Sequence, residues 1–138
     1  LCLLLLPQRP ELDALKVIRF ALIHDLGEVY VGDITPQDGV AKADKDKMEA
    51  AAVLQILGKL EHAEGLISSW HEYEVQQCAE AQFVKEIDRL ELVFQTAIYQ
   101  QNADLNGAEF YRGVSSVIKS APMLEEFEAL RAVFDPAV

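Results

Sequence analysis

Apolar residues recur along most of the chain at the spacing of an amphipathic helix, and no stretch alternates with the two-residue period of a strand. Turn-forming residues separate these periodic stretches, notably Pro7, Pro10 and the segment 34–39. The predicted helices cover residues 13–26, 44–58, 64–74, 79–101, 110–119 and a last segment that begins at Ser120. We therefore expect an all-α fold, a single-domain helical bundle that takes in residues 1–138.

Each predicted helix has an expected buried face. In 13–26 apolar residues occupy almost every face, which predicts a helix buried on all sides. The expected core residues of 44–58 are Met48, Ala51, Ala52, Val53, Ile56 and Leu57. Those of 64–74 are Leu66, Ile67, Trp70 and Tyr73. The stripe of 79–101 consists of Phe83, Ile87, Leu90, Phe94, Ala97 and Ile98.

Three ionisable residues interrupt the apolar run of the first long helix: His24, Asp25 and Glu28. A buried charge without a partner costs several kcal/mol, so such side chains should be paired, protonated or bound to a cation. On a helix the three side chains lie near one edge, because Glu28 is four residues from His24 and three from Asp25. A metal ion is one explanation. The alternative is that His24 and Asp25 only cap a core helix that ends at Gly27, with Glu28 in solvent.

The charge balance restricts the partners. The chain has 12 Lys and Arg against 23 Asp and Glu, a net charge of −11, which disfavours binding to polymeric nucleic acid or to an anionic membrane surface. A small phosphorylated substrate remains compatible, since a bound divalent cation reverses the local field. Cys2 and Cys78 are too far apart for a metal or redox motif, and reduced thiols in a cytoplasmic protein are expected.

The apolar segment 1–6 is far shorter than the ~20 residues that a membrane-spanning helix needs, and it lacks the basic leader of a signal peptide. We interpret it as the end of a core helix that starts upstream. The absence of an initial Met agrees with a domain truncated at its N-terminus.

Two separated motifs, in the same order, resemble the HD-domain metal-dependent phosphohydrolases. The first comprises 22–28 (LIHDLGE) and 31–34 (VGDI), and the second is 85–91 (KEIDRLE). The likeness is greatest to the small HD-domain proteins of the 5'-deoxynucleotidase group, and it extends from about residue 11 to about residue 100, with 70–74 (WHEYE) similar to a segment between the motifs.

The resemblance implies an all-α fold and a divalent metal ion, Mn, Co, Fe or Mg, bound by His24, Asp25 and Asp88. It implies hydrolysis of deoxyribonucleoside 5'-monophosphates, with a small nucleotide as substrate. We also expect a homodimer as the assembly. Taken alone, Asp88 reads equally well as an exposed acid that pairs with Lys85 or Arg89.

The same resemblance assigns roles to three further residues. Glu28 matches the catalytic acid of the family, and Asp33 matches a second acidic residue that assists proton transfer or substrate placement. Lys85 matches a lysine near the last metal-binding aspartate and is a candidate for substrate binding, although an ion pair with Asp88 explains it as well.

One expected ligand has no counterpart here. The family's first metal-binding histidine precedes the doublet, whereas no histidine precedes His24 in this sequence, so we expect it just upstream of Leu1. His62 and His71 are expected to be solvent-exposed and do not replace it. The alternatives are a catalytically silent HD-fold binding or interaction protein with an incomplete ligand set, and an unrelated helical adaptor.

Overall fold

The structure, a computed structural model, describes residues 1–32, 34, 38–100, 124, 125, 128 and 129. Its α-helices are α1 (Cys2–Leu5), α2 (Ala14–Ile23), α3 (Glu28–Val31), α4 (Lys42–Leu57), α5 (Glu64–Val75) and α6 (Ala79–Gln100). Two 3₁₀ turns cover Leu6–Gln8 and His24–Gly27. No strand occurs in the described ranges, and the all-α class is confirmed. The predicted helix 110–119 lies outside the described residues, as does most of the segment from Ser120 onward.

The chain divides into two compact units. One consists of Ala14–Ala81 and contains α2 to α5, and the other consists of Leu1–Asp13 together with Gln82–Val138. The single domain expected for residues 1–138 stays a prediction.

The core of the Ala14–Ala81 unit lies where α2, α4 and α5 meet. α2 packs against α5, while α4 packs against the 3₁₀ turn His24–Gly27 and against α3. The central residues of this core are Ile23, Val53, Leu57, Ala63 and Trp70, with Leu26, Ala50, Ile56 and Ile67 packed around them. Burial of a large apolar side chain contributes roughly 1.5–3 kcal/mol, so this cluster holds the turn that carries the His-Asp doublet.

Helix α2 is buried on one face only. Val17 and Phe20 are fully buried and Ile23 nearly so, whereas Leu15 is 68% and Leu22 76% exposed. The prediction of burial on all sides was therefore wrong. The buried positions are three residues apart, which places them on a single face of the helix. The apolar residues on the other faces are not covered by neighbouring helices, so composition alone did not identify the buried face.

Helix α4 is rotated relative to the prediction. Met48 and Ala51 are exposed, and Glu49 is buried in their place beside Ala52 and Val53. The apolar run that follows Met48 covers several faces, so its periodicity did not set the phase of the helix. In α5 the expected burial of Trp70 and Tyr73 is confirmed, Ile67 is partly buried, and Leu66 is exposed, contrary to expectation.

In the second unit, the predicted stripe of α6 is confirmed at Phe83, Ile87 and Leu90, which are buried. The side chains of Phe94, Ala97 and Ile98 lie outside the described residues. The Arg9 guanidinium lies 5.6 Å from the centre of the Phe83 ring, a cation–π distance that attaches the N-terminal segment to α6. Of the helices in the described ranges, none combines the length and apolar composition required to cross a bilayer.

Candidate metal centre and active site

The His-Asp doublet lies in a tight 3₁₀ turn and not in the body of a helix. α2 ends at Ile23, three residues before the predicted end of the helix, and His24–Gly27 continue as a 3₁₀ turn before α3 begins at Glu28. Tightening of the last turn is common at helix ends. The turn also packs closely against α4, since a Cβ at Gly27 would lie only 2.7 Å from the Cβ of Glu49. Glycine at 27 therefore permits α4 to approach the doublet turn.

Two neighbours orient the imidazole of His24, and a third anchors its backbone. Its Nδ1 lies 3.0 Å from the carbonyl oxygen of Ala21, and its ring meets the Tyr73 ring edge to face at a centroid distance of 5.6 Å. The indole Nε1–H of Trp70 donates a hydrogen bond of 3.3 Å to the backbone carbonyl of His24. These contacts connect the doublet to α2 and α5 and restrict the rotation of the ring.

The bond from Nδ1 to a carbonyl determines the tautomer of a neutral His24. A carbonyl oxygen only accepts, so Nδ1 carries the proton and Nε2 carries the lone pair. Metal-binding histidines commonly have this arrangement, in which the other ring N–H donates to a carbonyl or a carboxylate. The sequence motif does not specify this contact, and the structure supplies it.

The other nitrogen of His24 lies against the carboxylate of Asp25, with 3.1 Å between Nε2 and Oδ2. Two neighbouring ligands of an octahedral cation, each ~2.1 Å from it, are about 3.0 Å apart. The separation therefore fits two adjacent ligands of one ion, and it equally fits an ion pair of a protonated imidazole with the carboxylate. The imidazole side chain is 20% exposed and that of Asp25 64%, so the pair is accessible from solvent.

Glu28 opens helix α3 and faces α4. Its Oε1 lies 3.9 Å from Nζ of Lys45, and its side chain is 33% exposed. Glu28 therefore does not simply point into solvent, which was the alternative given from the sequence. Gly32 follows α3 with φ +80 and ψ 167, a conformation that favours glycine. Asp33 itself lies outside the described residues.

Lys85 and Asp88 lie on α6 in the second unit. Lys85 Nζ is 3.2 Å from Asp88 Oδ2, and the two side chains are 40% and 23% exposed. The structure therefore contains the local ion pair that the sequence offered as an alternative. Such a pair contributes little to stability when it is exposed, and it does not decide between a structural and a ligand role for Asp88.

No group of three or more His, Cys, Asp or Glu side chains suited to hold a metal ion occurs within the ranges that the structure describes. His24 and Asp25 are the two predicted ligands that the structure brings together. The expected exposure of His62 and His71 is confirmed.

Lys45 and Glu49 were not among the site residues predicted from the sequence. Glu49 is 7% exposed, and its Oε1 lies 3.4 Å from Nζ of Lys45 one helical turn earlier. Two signals pointed to this pair: the four-residue spacing, and an acidic residue at the edge of the apolar run from Ala50 to Leu54. The same reasoning had singled out the His-Asp doublet.

Known proteins with similar sequences identify the family of the chain. A family model described as HD domain matches residues 1–131. The chain is 39% identical over 93 residues to the 5'-deoxynucleotidase HDDC2 of Dictyostelium discoideum, an alignment that covers 66% of this chain and 49% of that protein. It is 41% identical over 88 residues to the 5'-deoxynucleotidase HDDC2 of Danio rerio, with 62% and 44% covered.

The chain is also 33% identical over 137 residues to the 5'-deoxynucleotidase HDDC2 of Xenopus laevis. This alignment covers 91% of this chain and 65% of that protein. The chain thus aligns with between about half and two thirds of these relatives. With a family model that matches nearly all of its length, a helical fold and an HD doublet at the end of α2, the chain belongs to the HD-domain family.

Proposed function

We propose that the chain is a metal-dependent phosphomonoester hydrolase that releases phosphate from deoxyribonucleoside 5'-monophosphates. The names of the relatives support the activity and the substrate class. The observation that carries the proposal is the orientation of His24, whose Nδ1 is bonded to a backbone carbonyl while Nε2 lies 3.1 Å from the carboxylate of Asp25. A histidine and an aspartate arranged in this way offer two adjacent ligands to one cation.

The metal ligands in this proposal are His24, Asp25 and Asp88. One nitrogen and a set of oxygens suit Mn²⁺, Co²⁺, Fe²⁺ or Mg²⁺, and the exposure of Asp25 leaves the pair open to solvent and substrate. A bound divalent ion polarises a phosphoryl oxygen and lowers the pKa of water, which supplies the electrophile and the nucleophile.

The protein residues handle the proton and the substrate. Water attacks the phosphorus, the bond between phosphorus and O5′ breaks, and the products are a deoxyribonucleoside and inorganic phosphate. The proton that water loses ends on O5′, and we assign its transfer to Glu28 with the assistance of Asp33. Lys85 is assigned to the phosphate of the substrate.

The setting of the protein is part of the proposal. A net charge of −11 favours a small substrate over a nucleic-acid polymer. We assign the protein to the cytoplasm, where the thiols of Cys2 and Cys78 would stay reduced. The homodimer stays a prediction.

Phosphate release from a panel of nucleotides tests the function. The four deoxyribonucleoside 5'-monophosphates and their ribonucleotide counterparts are incubated with the purified chain and Mn²⁺ or Co²⁺, and phosphate is measured over time. We expect release from the deoxyribonucleotides, and loss of release when a chelator removes the metal. A chain that holds metal and releases phosphate from none of them would overturn the proposed activity. A chain that holds no metal after incubation with either ion would favour a silent HD-fold binding protein.

A further inference from the structure

The ammonium group of Lys45 lies at the centre of three contacts. Its Nζ donates a hydrogen bond of 3.0 Å to the carbonyl oxygen of Ile34, lies 3.4 Å from Oε1 of Glu49, and lies 3.9 Å from Oε1 of Glu28. The Lys45 side chain is only 28% exposed. A single cation thus connects α4, the start of α3 and the segment that follows Gly32.

Two of these contacts fix the position of the ammonium group. Glu49 is held by the helix itself, four residues from Lys45, and its side chain is 9% exposed. A carboxylate buried to this extent requires a charged or hydrogen-bonding partner, and Lys45 provides one. The hydrogen bond to the carbonyl oxygen of Ile34 further restricts the lysine side chain.

The third contact is with the residue that the proposed mechanism uses for proton transfer. At 3.9 Å the ammonium group is too distant for a hydrogen bond to Glu28 and close enough to attract its carboxylate. The attraction holds Glu28 towards α4. Because α4 also contacts Gly27, the same helix determines the position of the doublet turn and that of Glu28.

We infer that Lys45 is a positioning residue for Glu28, and that Glu49 and the Ile34 carbonyl hold Lys45 in place. This inference rests on the proposed function for its catalytic consequence, while the ion-pair network itself can be measured without any activity. A competing role for Lys45 is direct binding of the substrate phosphate, which predicts a different kinetic effect.

Steady-state kinetics with the best substrate of the panel separate the two roles. If Lys45 positions Glu28, Lys45→Met lowers kcat about 10- to 100-fold, the cost of a small misplacement of a catalytic group, and changes KM by less than about twofold. Lys45→Arg retains more of kcat than Lys45→Met does. Glu49→Gln lowers kcat, as Lys45→Met does. A rise in KM at unchanged kcat would assign Lys45 to the phosphate and overturn the inference.

Lys47→Met is the matched control. Lys47 lies on the same helix and forms an exposed ion pair with Asp44 at 3.3 Å, so its loss removes the same charge without touching Glu28. We expect kcat and KM of this variant to equal those of the parent. A fall in kcat as large as that of Lys45→Met would show that the effect is one of net charge and would contradict the positioning role.

A double-mutant cycle decides the inference even if the chain releases no phosphate. Urea unfolding is measured for Lys45→Met, Glu28→Gln and the double variant, and for the corresponding set with Glu49→Gln. Residues in contact couple, so each double variant should deviate from additivity by at least about twofold in the folding equilibrium constant. An inactive parent with both couplings present would refute the proposed function and keep the network. Additive effects of Lys45 and Glu28 would overturn the inference, whatever the activity.

Discussion

Substitution of Gly27 by alanine should destabilise the protein, although alanine is the better helix former. A Cβ at this position would lie 2.7 Å from Cβ, 3.1 Å from Cγ and 3.2 Å from Cα of Glu49. Carbon atoms in contact are normally ~3.5–4.0 Å apart. Because two of the three atoms belong to the base of the Glu49 side chain and to its backbone, a change of rotamer does not remove the collision. Either α4 or the His24–Gly27 turn has to move.

The magnitude follows from two opposing terms. Overpacking in a well-packed region costs ~1–3 kcal/mol. The smaller conformational freedom of alanine in the unfolded chain stabilises the folded state by ~0.4–1 kcal/mol. Taken at their midpoints, the two terms leave a net loss of ~1.3 kcal/mol, which at an m-value of ~2 kcal/mol per molar lowers the urea midpoint by ~0.65 M.

Tryptophan fluorescence is a suitable assay for this variant. The chain has a single tryptophan, Trp70, which is 2% exposed and bonded to the backbone of His24, so its emission reports on this core directly. Gly65→Ala on α5 is the control, since a Cβ there meets nothing within 4 Å, and it should raise the midpoint slightly. The Glu49→Ala background keeps the colliding Cβ, so the penalty of Gly27→Ala should persist in it. A Gly27→Ala variant as stable as the parent would refute the close approach of α4 to the doublet turn.

Three further predictions concern the site and its support. Glu28→Gln should lower turnover by ~10²–10⁴ with metal content retained, and equal turnover of the metal-loaded variant and the parent would remove Glu28 from the mechanism. Trp70→Phe loses the donor to the His24 carbonyl and should cost about 1–3 kcal/mol in urea unfolding followed by circular dichroism; an unchanged midpoint would show that this bond contributes nothing. The hydrogen bond to Glu72 raises the pKa of Lys16 above 10.5, so the stabilisation is present below that pH and disappears as the pH rises through the folded-state pKa. Lys16→Met should therefore lower the midpoint at neutral pH and not at strongly alkaline pH, and an equal loss at both would contradict the ion pair.

The sequence predicted most of the helices because their ends carry local signals. Helix α5 was expected at 64–74 and occupies Glu64–Val75, and α6 was expected at 79–101 and occupies Ala79–Gln100. Gly58 marks the end of α4 as predicted. These boundaries depend on turn residues and apolar periodicity, both of which are properties of the chain near each end.

The errors occur where tertiary contacts decide the structure. The doublet turn lies against α4 through the close approach of Gly27 to Glu49. These residues are 22 positions apart, and no local pattern specifies their contact. Glu49 lies on the buried face of α4, and its carboxylate is 3.4 Å from the ammonium group of Lys45. Apolar periodicity alone predicted Met48 at the buried face, because it takes no account of such an ion pair. For the site, the motif predicted His24 and Asp25 as metal ligands and Glu28 as the catalytic acid. The structure places Nε2 of His24 3.1 Å from Oδ2 of Asp25, and all three roles stay predictions. The roles of Asp33, Lys85 and Asp88 stay predictions.

The central claim is that one divalent ion is shared by His24, Asp25 and Asp88, and metal stoichiometry tests it most directly. The parent, His24→Ala, Asp88→Asn and Glu28→Gln are incubated with Co²⁺ or Mn²⁺, freed of excess ion, and analysed for bound metal by elemental analysis. If the three residues share one ion, we expect one ion per chain in the parent and in Glu28→Gln, and loss of the ion in His24→Ala and in Asp88→Asn. Full metal content in Asp88→Asn would show that the ion does not involve Asp88 and would contradict the proposed metal centre.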